Sequence, residues 1–170
     1  MPDTPSVEEL LALDLLTLRA HTERAGDKLE EEPLRIRLNA SLAVSETCTV
    51  RRGGALVAYA MLRPESANSW FVTGFNTHPA HRNSGVLFDL FVAFAEIVRR
   101  HGIAELRSHV YKTNLLSMAF HRRLGFRVTR ENAKGVEFFG TVADLMASPA
   151  FEKTARRLAN AASARLDCAT

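Results

Sequence analysis

The run GVLFDLFVAFAEIVRRH, Gly85–His101, constrains this chain more than any other stretch. Read as a helix, its residues without apolar bulk fall on one narrow stripe, Asp89, Ala93, Glu96 and Arg100, at spacings of four, three and four. Every other face is apolar, so the helix has to be covered on most sides. A strand-like run, SWFVTGFNT, precedes it, and a second, AELRSHVYK, follows Gly102. A buried helix between two strands is a strand–helix–strand unit, and a sheet supplies the first part of its cover.

The flanking segments complete the pattern. Ser6 followed by Glu9 is a capping box that opens a leucine-rich helix, Val7–Arg24, with Val7, Leu10, Leu11, Leu15 and Leu18 on one face. An acidic run, Glu30-Glu31-Glu32, leads to a second helix, Pro33–Ala43, because proline suits a first turn. Thr47–Arg51 and Ala55–Leu62, joined by Gly53-Gly54, read as a hairpin. After the second strand of the central unit, Asn114 caps a short helix ending at Gly125. FRVTRENAKGVEFFGTV is a second hairpin around Lys134-Gly135, and a helix over Pro149–Arg165 ends the chain. Hairpins mixed with strand–helix units imply an α/β (α+β) domain with a mixed sheet and helices on both faces. The 170 residues fit one domain, 1–170, with its core over 7–146 and a C-terminal helical extension over 147–170.

Composition narrows the function classes. The most apolar segment is interrupted by Asp89 and Glu96, so no membrane span is expected. The start, MPDTPSVEEL, lacks a basic region and an apolar signal core, and a cytoplasmic location is expected. Cys48 and Cys168 have no metal-ligand spacing, so neither a metal site nor a disulfide is expected. The net charge of +3 is too small, and too dispersed, to point to nucleic acid.

The start of the apolar helix carries the chemistry. Where an acidic first turn is usual, this chain has Arg82, Asn83, Ser84 and Gly85. Helix amides without intrahelical partners, together with the helix dipole, make such an end suited to phosphate. Gly85 lets a bulky anion approach the backbone, Arg82 adds charge, and no carboxylate competes. Arg82, Asn83, Ser84, Gly85, Val86 and Leu87 therefore read as a pyrophosphate cradle. In the next helix, Asn114, Ser117 and His121 share one face, with Leu116 and Phe120 beside it.

The pair HPAHRNSGVL and NLLSMAFHRRLGF resembles the two signature motifs of the GNAT superfamily, the acyl-CoA-dependent N-acyltransferases. The resemblance covers roughly Thr47 to Val142. It implies a central, mostly antiparallel sheet of about six strands, with the family's first strand absent here. It implies acetyl-CoA as cosubstrate, with pyrophosphate on the cradle. The pantetheine arm would run along Phe75, Asn76 and Thr77 and contact Asn114, Ser117 and Phe120. An amine acceptor would attack the thioester directly.

The chain departs from the family pattern in four respects. Leu87 replaces a small residue, and His121 replaces the tyrosine that protonates the leaving thiolate, a step open to imidazolium. No carboxylate lies on Ser69–Thr77 to serve as general base, which leaves His109, Glu105 or a water. Without the first strand, Thr47–Arg51 is a sheet edge, covered either by the C-terminal helix or by a second subunit in a homodimer. The expected function is N-acetylation of a small-molecule or exposed protein amine. The other reading is a CoA-binding or interaction module without turnover.

Overall fold

A computed structural model gives the structure and describes residues 4–153 and 155–156. The apolar helix is α3, Ser84–His101, and it connects two parallel strands, β3 (Ser69–Thr77) and β4 (Glu105–Tyr111). Its all-round apolar character has a direct cause. Val86, Leu90, Phe94 and Ile97 are buried in the core beside the sheet. Phe91 meets Phe75 of β3 at 6.0 Å, Phe120 at 6.1 Å and Phe151 at 5.9 Å. Each such large side chain removed from water contributes about 1.5–3 kcal/mol.

Ahead of this unit come α1 (Val7–Arg24), α2 (Glu31–Leu42), β1 (Glu46–Arg52) and β2 (Ala55–Pro64). After it come α4 (Leu115–Arg123), β5 (Arg127–Glu131), β6 (Gly135–Thr141) and α5 (Val142–Ala147). The six strands form one mixed sheet in the order β1-β2-β3-β4-β6-β5, with β3–β4 the parallel pair. Gly53 and Gly54 join β1 to β2 with φ of 56° and 85°, the left-handed turn that matches strand twist. α3 and α4 pack on one face of the sheet. α1 and α2 pack on the other, where Leu10, Leu11, Leu13, Leu34 and Leu38 enclose Tyr59 and Met61 of β2.

Several details differ from the sequence reading. α2 starts before Pro33: Glu31 and Glu32 form its first turn, where the helix dipole favours carboxylates. The buried stripe of α1 is Leu10, Leu11, Leu13, Asp14 and Thr17, which turns Asp14 inward and leaves Leu16 exposed. α5 is an addition to the expected elements; Thr141 opens it by accepting the amide of Asp144 at 3.0 Å. Of the expected C-terminal helix, residues 149–153 and 155–156 are helical; its remainder and Cys168 lie outside the described residues. Cys48 is buried, and burial pushes its thiol up to about 12.

β1 forms one outer edge of the sheet. Arg51–Glu9 (2.5 Å) ties it to α1, while Arg52–Asp89 (2.5 Å) and Glu46–Arg100 (2.6 Å) tie it to α3.

Candidate active site

The sheet is split. β3 and β4 pair only at Ser69↔Glu105, Trp70↔Leu106 and Phe71↔Arg107. Just beyond, the β2–β3 register jumps from Leu62↔Val72 to Met61↔Gly74, so Thr73 is an unpaired bulge. Its hydroxyl donates to the Met61 carbonyl at 3.2 Å. A bulge bends its strand and raises the local twist. From Val72 onward β3 leaves β4, and a gap opens through the sheet.

α3 and α4 lie on one side of that gap. The start of α3 is capped, contrary to the sequence reading. Asn83 Oδ1 accepts the amides of Gly85 at 3.1 Å and Val86 at 3.0 Å. Asparagine is among the strongest N-caps and needs no charge. A Cβ on Gly85 would meet only Asn83 Oδ1, at 3.3 Å. The Asn83 carboxamide thus stands over these amides. Arg82 is exposed, with Nε 3.3 Å from the Thr77 carbonyl. Val86 is buried, and Leu87 packs against the core, which leaves its backbone to form the helix.

Asn114 caps α4, accepting the Ser117 amide at 3.1 Å. His121 lies deep in the gap's inner wall. It stacks on Phe138 at 4.7 Å and 16°, with the edge of Phe126 at 5.4 Å. His121 Nδ1 donates to the Ser117 carbonyl at 2.8 Å, and a carbonyl can only accept. Nε2 therefore accepts the Ser108 hydroxyl at 2.7 Å. Burial holds the imidazole below its ordinary pKa, so it is neutral at pH 7. With Phe75, Phe91, Phe94 and Phe120, His121 lines an apolar cavity of about 30 Å³.

The other side of the gap faces α1, α2 and the β5–β6 hairpin. Gly74 and Asn76 point this way from β3. A Cβ on Gly74 would lie 2.6 Å from Tyr59 Cε2 and 2.8 Å from its hydroxyl, so the Tyr59 ring fills the place of a side chain. Tyr59 donates to Asp14 Oδ1 at 2.6 Å, and Asn76 Nδ2 donates to the same oxygen at 2.7 Å. Burial pushes Asp14 up to about 6, although both hydrogen bonds pull the other way. On β4, His109 and Tyr111 face this side. The Tyr111 hydroxyl donates to Asp27 Oδ2 at 2.9 Å, and Asp27 Oδ1 pairs with Lys134 of the hairpin. His109 is exposed; its Nε2 lies 3.3 Å from Glu137 Oε2, and its ring meets the edge of Phe71 at 4.9 Å.

The structure thus brings Phe75, Phe120, Ser117 and His121 together on the helix side, and sets His109 on the opposite face. Asn76 is turned away from Phe75, towards Asp14. Sequence reasoning missed Asp14, Tyr59, Ser108 and Glu137. Asp14 did leave a signal, as a carboxylate within the apolar stripe of α1.

Among the described residues no helix is long and apolar enough to cross a membrane, and no group of three or more His, Cys, Asp or Glu is placed to hold a metal ion. No curated protein matches the sequence. The fold has many solved counterparts. PaiA N-acetyltransferase from Thermoplasma acidophilum, in complex with coenzyme A, is 14% identical with TM-score 0.63, over 82% of this chain and 96% of that one. An acetyltransferase from Thermus thermophilus is 19% identical with TM-score 0.64, over 83% and 94%. YncA from Salmonella typhimurium, solved with its cofactor acetyl-CoA, is 16% identical with TM-score 0.56, over 82% and 92%. The family model for the acetyltransferase (GNAT) family matches residues 10–126, from the buried stripe of α1 to the end of the gap's inner wall. A split mixed sheet, a glycine-bearing helix start at the mouth of the split and a family match over most of the chain have one meaning: the protein belongs to the GNAT family of acetyltransferases.

Proposed function

We propose that this protein transfers an acetyl group from acetyl-CoA to a primary amine, of a small molecule or an exposed protein residue, by direct attack in a ternary complex. The observation that carries the reading is the gap itself: β3 presents an unpaired backbone edge beyond Phe71, with the start of α3 at its mouth and α4 along its wall. Of the stretch Arg82–Leu87, the pyrophosphate would take the Gly85 and Val86 amides, beside Arg82, once the Asn83 side chain swings away; the Asn83 and Leu87 amides already donate to the His81 and Asn83 carbonyls. The amide-rich pantetheine arm would pair with β3 near Phe75, Asn76 and Thr77, against Asn114, Ser117 and Phe120. The amine would approach from the α1–α2 side, where His109 is the proposed base.

His121 remains the proposed donor to the departing thiolate. It would give that proton from Nε2, as imidazolium, with Ser108 released. Because burial disfavours imidazolium, this step would weaken as pH rises through a lower value than for an exposed histidine. The place of β1 at an outer end of the strand order is the ground for proposing a homodimer, which light scattering over a range of concentrations tests.

A second reading has one observation behind it: His121 is neutral with both nitrogens engaged. That suits a module that binds CoA without turnover. Thiol release from acetyl-CoA, measured with a panel of primary amines, decides between them. Release with at least one amine supports acetyl transfer. Tight calorimetric binding of acetyl-CoA with no release on any amine supports the module.

A further inference from the structure

Gly74 leaves β3 no side chain with which to take a proton, and the Tyr59 ring occupies the space one would need. A side-chain proton acceptor on the sheet would then come from β4, across the gap. Glu105 does not reach it, because it lies within the paired seam opposite Ser69. His109 is the first residue on the acceptor face of β4 beyond the last pair, Phe71↔Arg107. Directly opposite it in the β4–β6 ladder is Glu137.

Glu137 is set up to remain a carboxylate. Burial pushes its carboxyl up, but hydrogen bonds from Thr129 and His109 and the charges of Arg107 and Arg130 outweigh this and hold it below the usual range. Thr129 donates to Oε1 at 2.9 Å, which leaves Oε2 for Arg107 at 3.5 Å and His109 at 3.3 Å. A carboxylate only accepts, so His109 Nε2 carries the hydrogen. Nδ1 then keeps its lone pair, with no partner among the described residues. Phe71 fixes the ring from its edge.

We propose that Glu137 is a positioning residue that holds His109 as the proton acceptor for the amine, in the manner of a carboxylate that orients a catalytic imidazole. The proposal rests on the acetyl-transfer reading. An ammonium proton passes to Nδ1, and Glu137 stabilises the resulting imidazolium. The neutral amine attacks the thioester carbon. A C–N bond forms, the C–S bond breaks with its electron pair on sulfur, and the second amine proton is lost as the thiolate gains one. The imidazolium returns its proton to water.

The test is a double-mutant cycle on His109→Ala, Glu137→Gln and the pair, with kcat, amine KM and acetyl-CoA affinity measured for each. His109→Ala should lower kcat by about 10²–10⁴-fold, the usual range for acid–base help. Glu137→Gln, which keeps shape and loses charge, should lower kcat by about ten- to a hundredfold, the worth of one charge-assisted hydrogen bond, with acetyl-CoA affinity unchanged. The double variant should be no slower than His109→Ala, because Glu137 acts only through the imidazole. Thr129→Val, which loosens Glu137 without removing charge, should lower kcat in the same direction and by less. A wild type that acetylates amines, together with Glu137→Gln at full kcat or single losses that multiply in the double variant, overturns the positioning role alone. A wild type inactive on every amine overturns the acetyl-transfer reading and this role with it.

Discussion

Asn83 Oδ1 lies 3.1 Å from the amide of Gly85 and stands where the proposed pyrophosphate would bind. Cap and ligand therefore compete. An N-cap is worth about 1 kcal/mol, which is about fivefold in affinity. Asn83→Ala is expected to lower the stability of the unliganded protein by about that amount and to tighten acetyl-CoA binding by about fivefold. Gly85→Asp is expected to weaken binding more than tenfold, since a carboxylate there repels phosphate. Calorimetry and thermal unfolding check both; weaker binding by Asn83→Ala would mean that the carboxamide holds the ligand instead.

Two buried groups give opposite pH slopes to stability. Asp14 has its folded pKa raised from 3.8 to about 6, so the folded state binds the proton more tightly. Its stabilising contribution is full below pH 3.8 and is lost as pH rises through about 6, on the order of 3 kcal/mol in total. His121 has its folded pKa lowered, so its contribution is present above pH 6.5 and lost as pH falls. Asp14→Asn should therefore gain on the wild type between about pH 4 and 6 and hold that gain above it. His121→Gln should resist acid better than the wild type. Urea unfolding at a series of pH values reads both, and parallel curves for wild type and Asp14→Asn would sink the assignment.

Gly74→Ala is expected to cost about 1–3 kcal/mol, the usual penalty of overpacking. Its Cβ would press on a Tyr59 ring that is itself only 1% exposed and tied to Asp14. The urea midpoint should fall with an unchanged slope. A variant as stable as the wild type would show that Tyr59 moves aside at no cost.

Asp27 joins the α1–α2 loop to Lys134 of the hairpin and to Tyr111 of β4, across the side from which the amine is proposed to approach. Lys134→Ala should free the Asp27 carboxylate for a cationic amine. The amine KM is expected to change severalfold while acetyl-CoA affinity stays within about twofold, since uniform binding alters KM alone. An unchanged KM for every amine tested would remove this loop from acceptor recognition.

The order of elements could be read from the chain because its signals are local. Apolar periodicity in Gly85–His101, the Gly53-Gly54 turn and the caps at Ser6 and Asn114 each act over a few residues. Asn83 is legible in principle as a neutral cap, but the missing acidic turn beside it points instead to a bare helix end. What was hidden is non-local. Asp14, Tyr59 and Asn76 come from α1, β2 and β3, and no spacing rule connects them. Glu137 faces His109 only through the β4–β6 register. The Thr73 bulge, which opens the gap, is marked only by its neighbour Gly74, since threonine itself suits an ordinary strand equally well.

The seam at Ser69–Phe71 has a mechanical consequence. β1, β2 and β3 form one plate and β4, β6 and β5 another, with ladders of seven pairs in β1–β2 and β4–β6 but three across the seam. The plates are stiff and the line that joins them is short. Beyond Phe71 the plates share no ladder hydrogen bond; they are tied instead through α1 and its loop, where the Thr113 hydroxyl donates to the His21 carbonyl at 2.6 Å and Tyr111 donates to Asp27 at 2.9 Å. Within the sheet the width of the gap is thus fixed by no ladder of its own, but by α3 as the crossover between the plates and by these ties from α1.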